Sequence, residues 1–286
     1  DIRNMFMSSI NTNNSAMGAL QPLKSINSNL AKTQDEISTG KSVSMAKDNS
    51  AVWAISKVME SDVSGFKSIS DSLSVGEATV AVASAGAEQI VKVLDEMKSL
   101  AISGNSETAD FAKIDADMAE KEAQILSIIS ASQFNGVNLL ATDTDGNGGT
   151  QLTVLSSLDR VGTGAPTAST IDVATVDFEA NLDIAGRTAI ADQASAVTAL
   201  GEMEAFLQTA ITGAASLGAS SKRITDQNEF VGKLTDAMKV GIGALVDADM
   251  EEASARLQAL QTQQQLGVQA LSIANQAPQT ILSLFR

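Results

Sequence analysis

Apolar side chains recur at alternating steps of three and four along most of this chain. The longest run passes through Val52, Ile55, Met59, Asp62, Phe66, Ile69, Leu73, Gly76, Val80, Ala83, Ala87, Ile90, Leu94, Met97 and Ala101, with Asp62 its sole polar member besides a glycine. That spacing is a heptad seam and predicts one long helix with a partner lying along it. At 1.5 Å per residue such a helix would reach about 75 Å, more than a compact domain of this size needs, so a rod is expected. Gly76 and the Ala83 to Ala87 stretch would let a partner helix approach closely. Gly104 and Asn105 supply a stop, and Ser106 to Asp110 read as a turn. A second helix is expected from Asp110 to Ala131, with Ile114, Met118, Ile125, Ile128 and Ile129 near one face.

Two shorter stripes lie toward the chain ends. Leu23, Ile26, Leu30, Thr33 and Ile37 form the first, ended by Ser38-Thr39-Gly40. Met250, Ala253, Leu257 and Leu260 begin the second, which shifts phase around Gln261 to Gln265 and resumes at Val268 and Leu271. Helix nucleation is costly, so both segments need a buried face to be stable. Between the helical parts, Ala141 to Gly186 is rich in Gly, Thr, Asp and Ser and lacks a 3.6 period. Short alternations at Leu152-Thr153-Val154 and Ile171-Asp172-Val173 predict strands in hairpins. A helical pattern returns from Ile190 through Leu245. The fold class that follows is mainly α: an elongated, coiled-coil-like helical rod with a small β-hairpin-rich insert and the N- and C-terminal helices paired. The expected division is a start segment at 1–7, a terminal coiled-coil domain of 8–50 with 241–286, and a rod of 51–240 that includes a β-rich surface insert at 133–186.

Composition sharpens this picture in a few places. Aromatics make up 3% of the 286 residues and Tyr is absent, so Ala, Leu, Ile, Val and Met carry the hydrophobicity. Small aliphatic side chains suit helices packed along their length. Pro22, Pro166 and Pro278 are expected outside the helices, because an interior proline costs about 3 kcal/mol. The net charge of −15 opposes nucleic acid and anionic membrane as partners. No apolar run is long enough to predict membrane insertion, and the first residues lack the regions of a signal peptide.

Candidate chemistry is sparse. The chain has no His and no Cys, which removes the commonest general base, metal ligand and thiolate nucleophile. No nucleotide-binding loop, HExxH or nucleophile-elbow motif is present, so no cofactor and no enzymatic activity are expected. Asp143, Asp145 and Asn147 begin like a calcium loop, but the twelfth position is Val154 where a bidentate Glu is needed. A polar hairpin turn is the favoured reading. The cluster Asp247, Asp249, Glu251 and Glu252 reads as the start of a helix, where acidic groups complement the macrodipole.

Five short runs, in order along nearly the whole chain, resemble the flagellin family. They are Ile10-Asn11-Thr12-Asn13; Ser38-Thr39-Gly40 followed by Ala46-Lys47-Asp48; Gln133-Phe134-Asn135-Gly136-Val137; Leu217-Gly218-Ala219 with Arg223; and Ala274-Asn275-Gln276-Ala277-Pro278-Gln279 with Leu282, Leu284 and Arg286. One stretch departs from the family pattern: Asn49-Ser50-Ala51-Val52-Trp53 stands where acidic and small residues and a Gly usually follow Lys47-Asp48.

The resemblance implies a self-assembling subunit of a bacterial flagellar filament, exported unfolded through the flagellum's own channel and located outside the cell. The implied partners are copies of itself or sister flagellins, the export apparatus and a chaperone, and hook-associated and cap proteins. The residues expected to drive self-assembly are Leu23, Ile26, Leu30, Ile37, Met250, Leu257, Leu260, Leu271, Leu282 and Leu284. In flagellins detected by animal innate-immune receptors, a stretch similar to Leu94 to Ala101 has Arg where Glu96 stands. Glu96, Leu100 and Asp117 mark the corresponding surface here, and the reversed charge at Glu96 predicts weak or absent recognition. Two other readings fit the same pattern: a hook–filament junction protein with similar helical ends, and a surface protein binding an extracellular polymer such as a polysaccharide through the Thr- and Asp-rich insert.

Overall fold

The structure is a computed structural model that describes residues 13–161 and 164–284, with side chains described as far as Gln276. Among the described residues, six helices and one hairpin follow in the order α1 (Asn14–Thr39), α2 (Ser50–Ser103), α3 (Phe111–Ala131), β1 (Gln151–Asp159), β2 (Thr167–Ala174), α4 (Phe178–Asn181), α5 (Gln193–Val246) and α6 (Met250–Leu284), with a 3-10 turn at Ile184–Gly186. The chain divides into two compact units: unit 1 is Asp1–Ser61 with Met238–Arg286, and unit 2 is Asp62–Ala237. The divisions fall inside α2 and α5, at 61/62 and 237/238.

In unit 2 the α2 seam is buried from Phe66 through Ile69, Leu73, Val80, Ala83, Ala87, Ile90, Leu94 and Met97 to Ala101. Helix α5 brings a heptad stripe of its own, with Ala196, Ala199, Met203, Leu207, Ala210, Leu217, Ile224 and Val231 all buried. Polar side chains tie the two helices: Ser70 donates to Asn228 Oδ1 at 2.7 Å and Thr225 to Glu77 at 2.9 Å. Helix α3 is capped by Asp110, whose carboxylate accepts the Lys113 N–H, and it buries Met118, Ile125 and Ile129.

Strands β1 and β2 pair antiparallel, with Leu152 opposite Val173 and Val154 opposite Ile171. Val154, Ile171 and Val173 are buried, while Thr153, Thr170 and Asp172 between them are exposed, as period-two alternation requires. The register slips between Leu155 and Ser157. Ser156 at this bulge is buried, and its carbonyl accepts the Gln227 amide of α5 at 2.8 Å.

At Gly65 and Gly76 of α2 it is the hairpin, not a partner helix, that comes close, and at Gly86 it is the segment after α3. A Cβ on Gly76 would lie 2.6 Å from Val154 Cγ2, and one on Gly65 2.4 Å from Leu158 Cδ1. One on Gly86 would meet the Ser132 hydroxyl at 2.2 Å and Leu140 Cδ1 at 3.0 Å. The polar break in the seam has the same origin. Asp62 takes a bidentate contact from Arg160 at the end of β1, with Nη2 at 2.7 Å.

Beyond the hairpin, Asp177 in the left-handed region (φ 45°) caps the single turn of α4. Arg187 is 7% exposed in its side chain and reaches two α3 carboxylates, Asp115 at 2.7 Å and Glu122 at 3.2 Å. Burial works against the charge of Asp115, but the Arg187 guanidinium and the Ile190 N–H outweigh it and leave its pKa below the ordinary carboxylate value. A carboxylate with a lowered folded pKa contributes stability above its unfolded pKa, and that contribution is lost as pH falls through the folded value. Unit 2 should therefore melt at progressively lower temperature as the pH drops below about 4. Arg187→Met should flatten that dependence in a melting series, and an unchanged acid slope in the variant would remove Asp115 as its cause.

Candidate assembly surface

Unit 1 is built on the antiparallel pairing of α1 with α6. Asn13 caps α1 by accepting the Ala16 N–H at 3.0 Å, and its Nδ2 donates across the pair to the Ala274 carbonyl at 2.9 Å. The α1 stripe faces the pair as the heptad requires: Leu23 and Thr33 are buried, and Ile26, Leu30 and Ile37 are half-buried. Helix α1 ends at Gly40, whose φ of 69° supplies the left-handed cap.

Two expectations change here. Pro22 lies inside α1 rather than outside it, and α6 likewise runs through position 278. A proline this far into α1 leaves the Gly18 carbonyl without its helical donor, and the burial gained with α6 offsets that cost. The apparent phase shift in the C-terminal stripe is also absent. The less exposed positions of α6 are Ala253, Leu257, Leu260, Gln264, Gly267, Leu271 and Ala274, an unbroken heptad series. The glutamines did not displace the seam; one of them is a member of it. Gln264 donates to Asn27 at 2.7 Å, and a Cβ on Gly267 would lie 2.9 Å from Leu23 Cδ1. Gln264 occupies a seam position while Asn27 flanks the α1 seam and is exposed, so the pair ties the two helices at the edge of the seam.

Glu36 adds a charged tie between the helices, 3.5 Å from Arg256 and 3.9 Å from Lys32. Beyond the ends of α1 and α5 the two loops meet as backbone. Ser42 N–H donates to Val246 O at 2.7 Å and Ala248 N–H to Gly40 O at 2.9 Å, around a bridge between Lys41 and Asp247. Asp48 closes the following turn by accepting from Met45 N–H at 3.0 Å and from Ser44, which hold its pKa below the usual carboxylate range. Asn49, in the stretch that departs from the family pattern, accepts the Val52 N–H at 3.2 Å where α2 begins. Asp249 does the same for α6, accepting from the N–H groups of Glu251 and Glu252.

The candidate residues thus separate into groups. Leu23 and Leu260 are buried, and Ile26, Leu30, Ile37, Leu257 and Leu271 are half-buried. Met250, at the first residue of α6, is exposed. Leu282 and Leu284 lie outside the described side chains. What remains open is a second set outside the seam that the structure forms: Met17 and Leu20 on α1, and Leu266, Val268 and Ile273 on α6, the last 70% exposed; Val268, expected in the stripe, falls outside it because the seam continues in phase through Gln264 and Gly267. Their signal in the sequence is that each is apolar at a position flanking the seam, visible only once the seam is carried in phase through Gln264 and Gly267.

The remaining candidates lie in unit 2. Asp143 accepts from the N–H groups of Asp145 and Gly146, and Asp145 from those of Asn147 and Gly149, so the loop's carboxylates cap its own turns. Among the described residues no group of three or more Asp or Glu is placed to hold a metal ion. Glu96, Leu100 and Asp117 line one groove between α2 and α3, together with Lys121, which pairs with Glu96.

Comparison with known proteins places these features in a family. Residues 10–145 match the model of the bacterial flagellin N-terminal helical region, and residues 200–285 that of the C-terminal helical region. Flagellin FljK of Caulobacter vibrioides is 41% identical over 285 residues, spanning 99% of this chain and 100% of the relative. A flagellin of Brucella melitensis is 41% identical over 287 residues, spanning 98% and 100%. Among solved structures, a putative flagellar hook-associated protein from Vibrio parahaemolyticus has a similar fold. Its TM-score is 0.52 at 13% identity, over 70% of this chain and 100% of that one.

Proposed function

This chain belongs to the bacterial flagellin family, and from that premise we propose that unit 1 is where copies of it join while unit 2 folds on its own contacts. The protein is a structural subunit of the extracellular flagellar filament, the organelle of motility. No helix among the described residues is long and apolar enough to cross a membrane.

The observation that carries the proposal is the division of charge. Unit 1 holds nine acidic and nine basic residues, whereas unit 2 holds 25 acidic and ten basic, so the whole net charge of −15 belongs to unit 2. Like charge opposes close approach of identical surfaces, and a neutral surface with apolar side chains does not. Met17, Leu20, Leu266, Val268 and Ile273 then supply area for a neighbouring copy, at about 25 cal/mol per Å² removed from water. A head-to-tail contact whose rotation does not close makes a filament and not a ring.

The partners under this proposal are copies of the chain and sister flagellins, with the export apparatus, a chaperone, and hook-associated and cap proteins acting before and during assembly. The chain carries no catalytic or cofactor role in it. Electron microscopy of purified protein seeded with filament fragments tests the reading. Helical filaments should grow from the seeds; failure to grow, combined with saturable binding of a polysaccharide, would replace it with the polymer-binding alternative.

The groove at Glu96 bears on recognition by a host. Glu96 is paired with Lys121 and flanked by Asp95, Asp117 and Glu120, so the groove is acidic where a receptor selecting for guanidinium needs positive charge. A reporter-cell assay with this protein should give little or no activation. Full activation at ordinary concentrations would show that the charge at Glu96 is not decisive.

A further inference from the structure

The chain contains two Asn–Gly steps, Asn135–Gly136 and Asn147–Gly148, both on exposed turns of unit 2. An Asn followed by Gly is chemically labile because no Cβ on the next residue blocks approach of its backbone nitrogen to the side-chain amide. The two steps differ in what holds them. Asn147 has its N–H on Asp145 Oδ1 at 2.9 Å and its Nδ2 on the Asp145 carbonyl at 3.2 Å, and the same carboxylate oxygen holds the Gly149 N–H at 3.0 Å. Asn135 and Gly136 form the two-residue loop between Phe134 and Val137, both in the left-handed region, with φ of 51° and 81°. Among the described residues neither the Asn135 side chain nor the Gly136 N–H has a hydrogen-bond partner.

We infer that Asn135 is a site of spontaneous deamidation and that Asn147 is protected from the same reaction by the hydrogen bonds of its loop. The Gly136 nitrogen attacks Cγ of Asn135, forming an N–Cγ bond. The Cγ–Nδ2 bond breaks, and ammonia leaves with the proton that the Gly136 nitrogen gives up. Water then opens the five-membered imide at either carbonyl, to aspartate or to isoaspartate. The net change is amide and water to carboxylate and ammonium, with nothing oxidised or reduced. At Asn147 the side chain must first leave the Asp145 carbonyl and the backbone N–H must leave the Asp145 carboxylate before the amide can turn toward the Gly148 nitrogen.

The product matters because of where the turn stands. Phe134 and Val137 exchange backbone hydrogen bonds of 2.9 and 3.0 Å across the two-residue loop. Just beyond, Asn138 donates to the Ile129 carbonyl, and Leu139 and Leu140 are fully buried. Isoaspartate adds a backbone atom inside that loop, so its two hydrogen bonds cannot both persist. Aspartate, which tolerates the left-handed region, leaves the loop intact and adds one negative charge. The reaction uses only atoms of this loop and water, and the test is made on the free subunit, so this inference does not depend on how copies assemble.

The test is incubation of the purified full-length protein at 37 °C and mildly alkaline pH, with peptide mass spectrometry and enzymatic isoaspartate detection at both sites. Asn135 should convert about tenfold faster than Asn147, the ratio expected when two hydrogen bonds must be broken at one site and none at the other. Asp145→Ala, which removes the acceptor of the Asn147 and Gly149 N–H groups, should raise the Asn147 rate severalfold and leave the Asn135 rate unchanged. A ratio below about threefold, or no response of Asn147 to Asp145→Ala, would overturn the inference.

Discussion

Leu260→Asp is expected to abolish seeded filament growth while the main thermal transition of the protein persists. Leu260 is 8% exposed in the α6 seam. Removing the Leu forfeits about 1.5–3 kcal/mol of burial, and the carboxylate that replaces it must be solvated where the seam is closed. Two amphipathic helices hold together by such contacts, because neither is stable alone. Misaligned or separated, α1 and α6 would no longer present Met17 and Leu20 together with Leu266, Val268 and Ile273. The core of unit 2 uses none of these residues and should unfold as before. Electron microscopy of seeded reactions and a calorimetric melt read the two halves of the claim. Leu260→Met, which keeps the volume, should still grow, and growth of Leu260→Asp at the parental rate would show that the α1–α6 pair is not what joins copies.

The second large effect belongs to unit 2. Phe178→Ala should lower its stability by about 3–5 kcal/mol, since the ring is fully buried and its removal leaves a cavity. The ring lies against bare backbone: a Cβ on Gly213 would be 2.5 Å from its Cε1. That close approach of α4 to α5 also predicts that Gly213→Leu destabilises from the other side, by overpacking. For a unit of this size, the Phe178 variant should melt about 10 °C lower. A shift under about 2 °C would mean that neighbouring side chains collapse into the space. Seeded growth at low temperature should survive in this variant, which distinguishes a fault in unit 2 from one in unit 1.

Much of this architecture is carried by residues near one another in the chain. The period of apolar positions specifies α1, α2, α3, α5 and α6, because a helix presents every third and fourth side chain to the same face whatever it packs against. The strands at Leu152–Val154 and Ile171–Val173 follow from alternation in the same way. So do the caps: Gly40 by a left-handed φ that its lack of a side chain permits, and Asp110 and Asp249 by accepting from amides within a few residues. The family runs along the chain point to a filament subunit through residues such as Gln133 to Val137, which form a turn between Phe134 and Val137.

What tertiary structure decided are the questions whose answer lies far along the chain. The identity of the partner at Gly76 depends on Val154, 78 positions away, and a glycine in a helix says only that something comes close. Asp62 reads as a fault in the seam until Arg160 is beside it. Gln264 reads as a shift in phase until Asn27 stands opposite, and Pro22 as a helix boundary until the pairing of α1 with α6 outweighs its lost hydrogen bond. The neutrality of the joining unit becomes visible only when the two chain ends are counted together. In each case the energy resides in a contact between remote residues, and a local pattern records that a side chain needs a partner without recording which one.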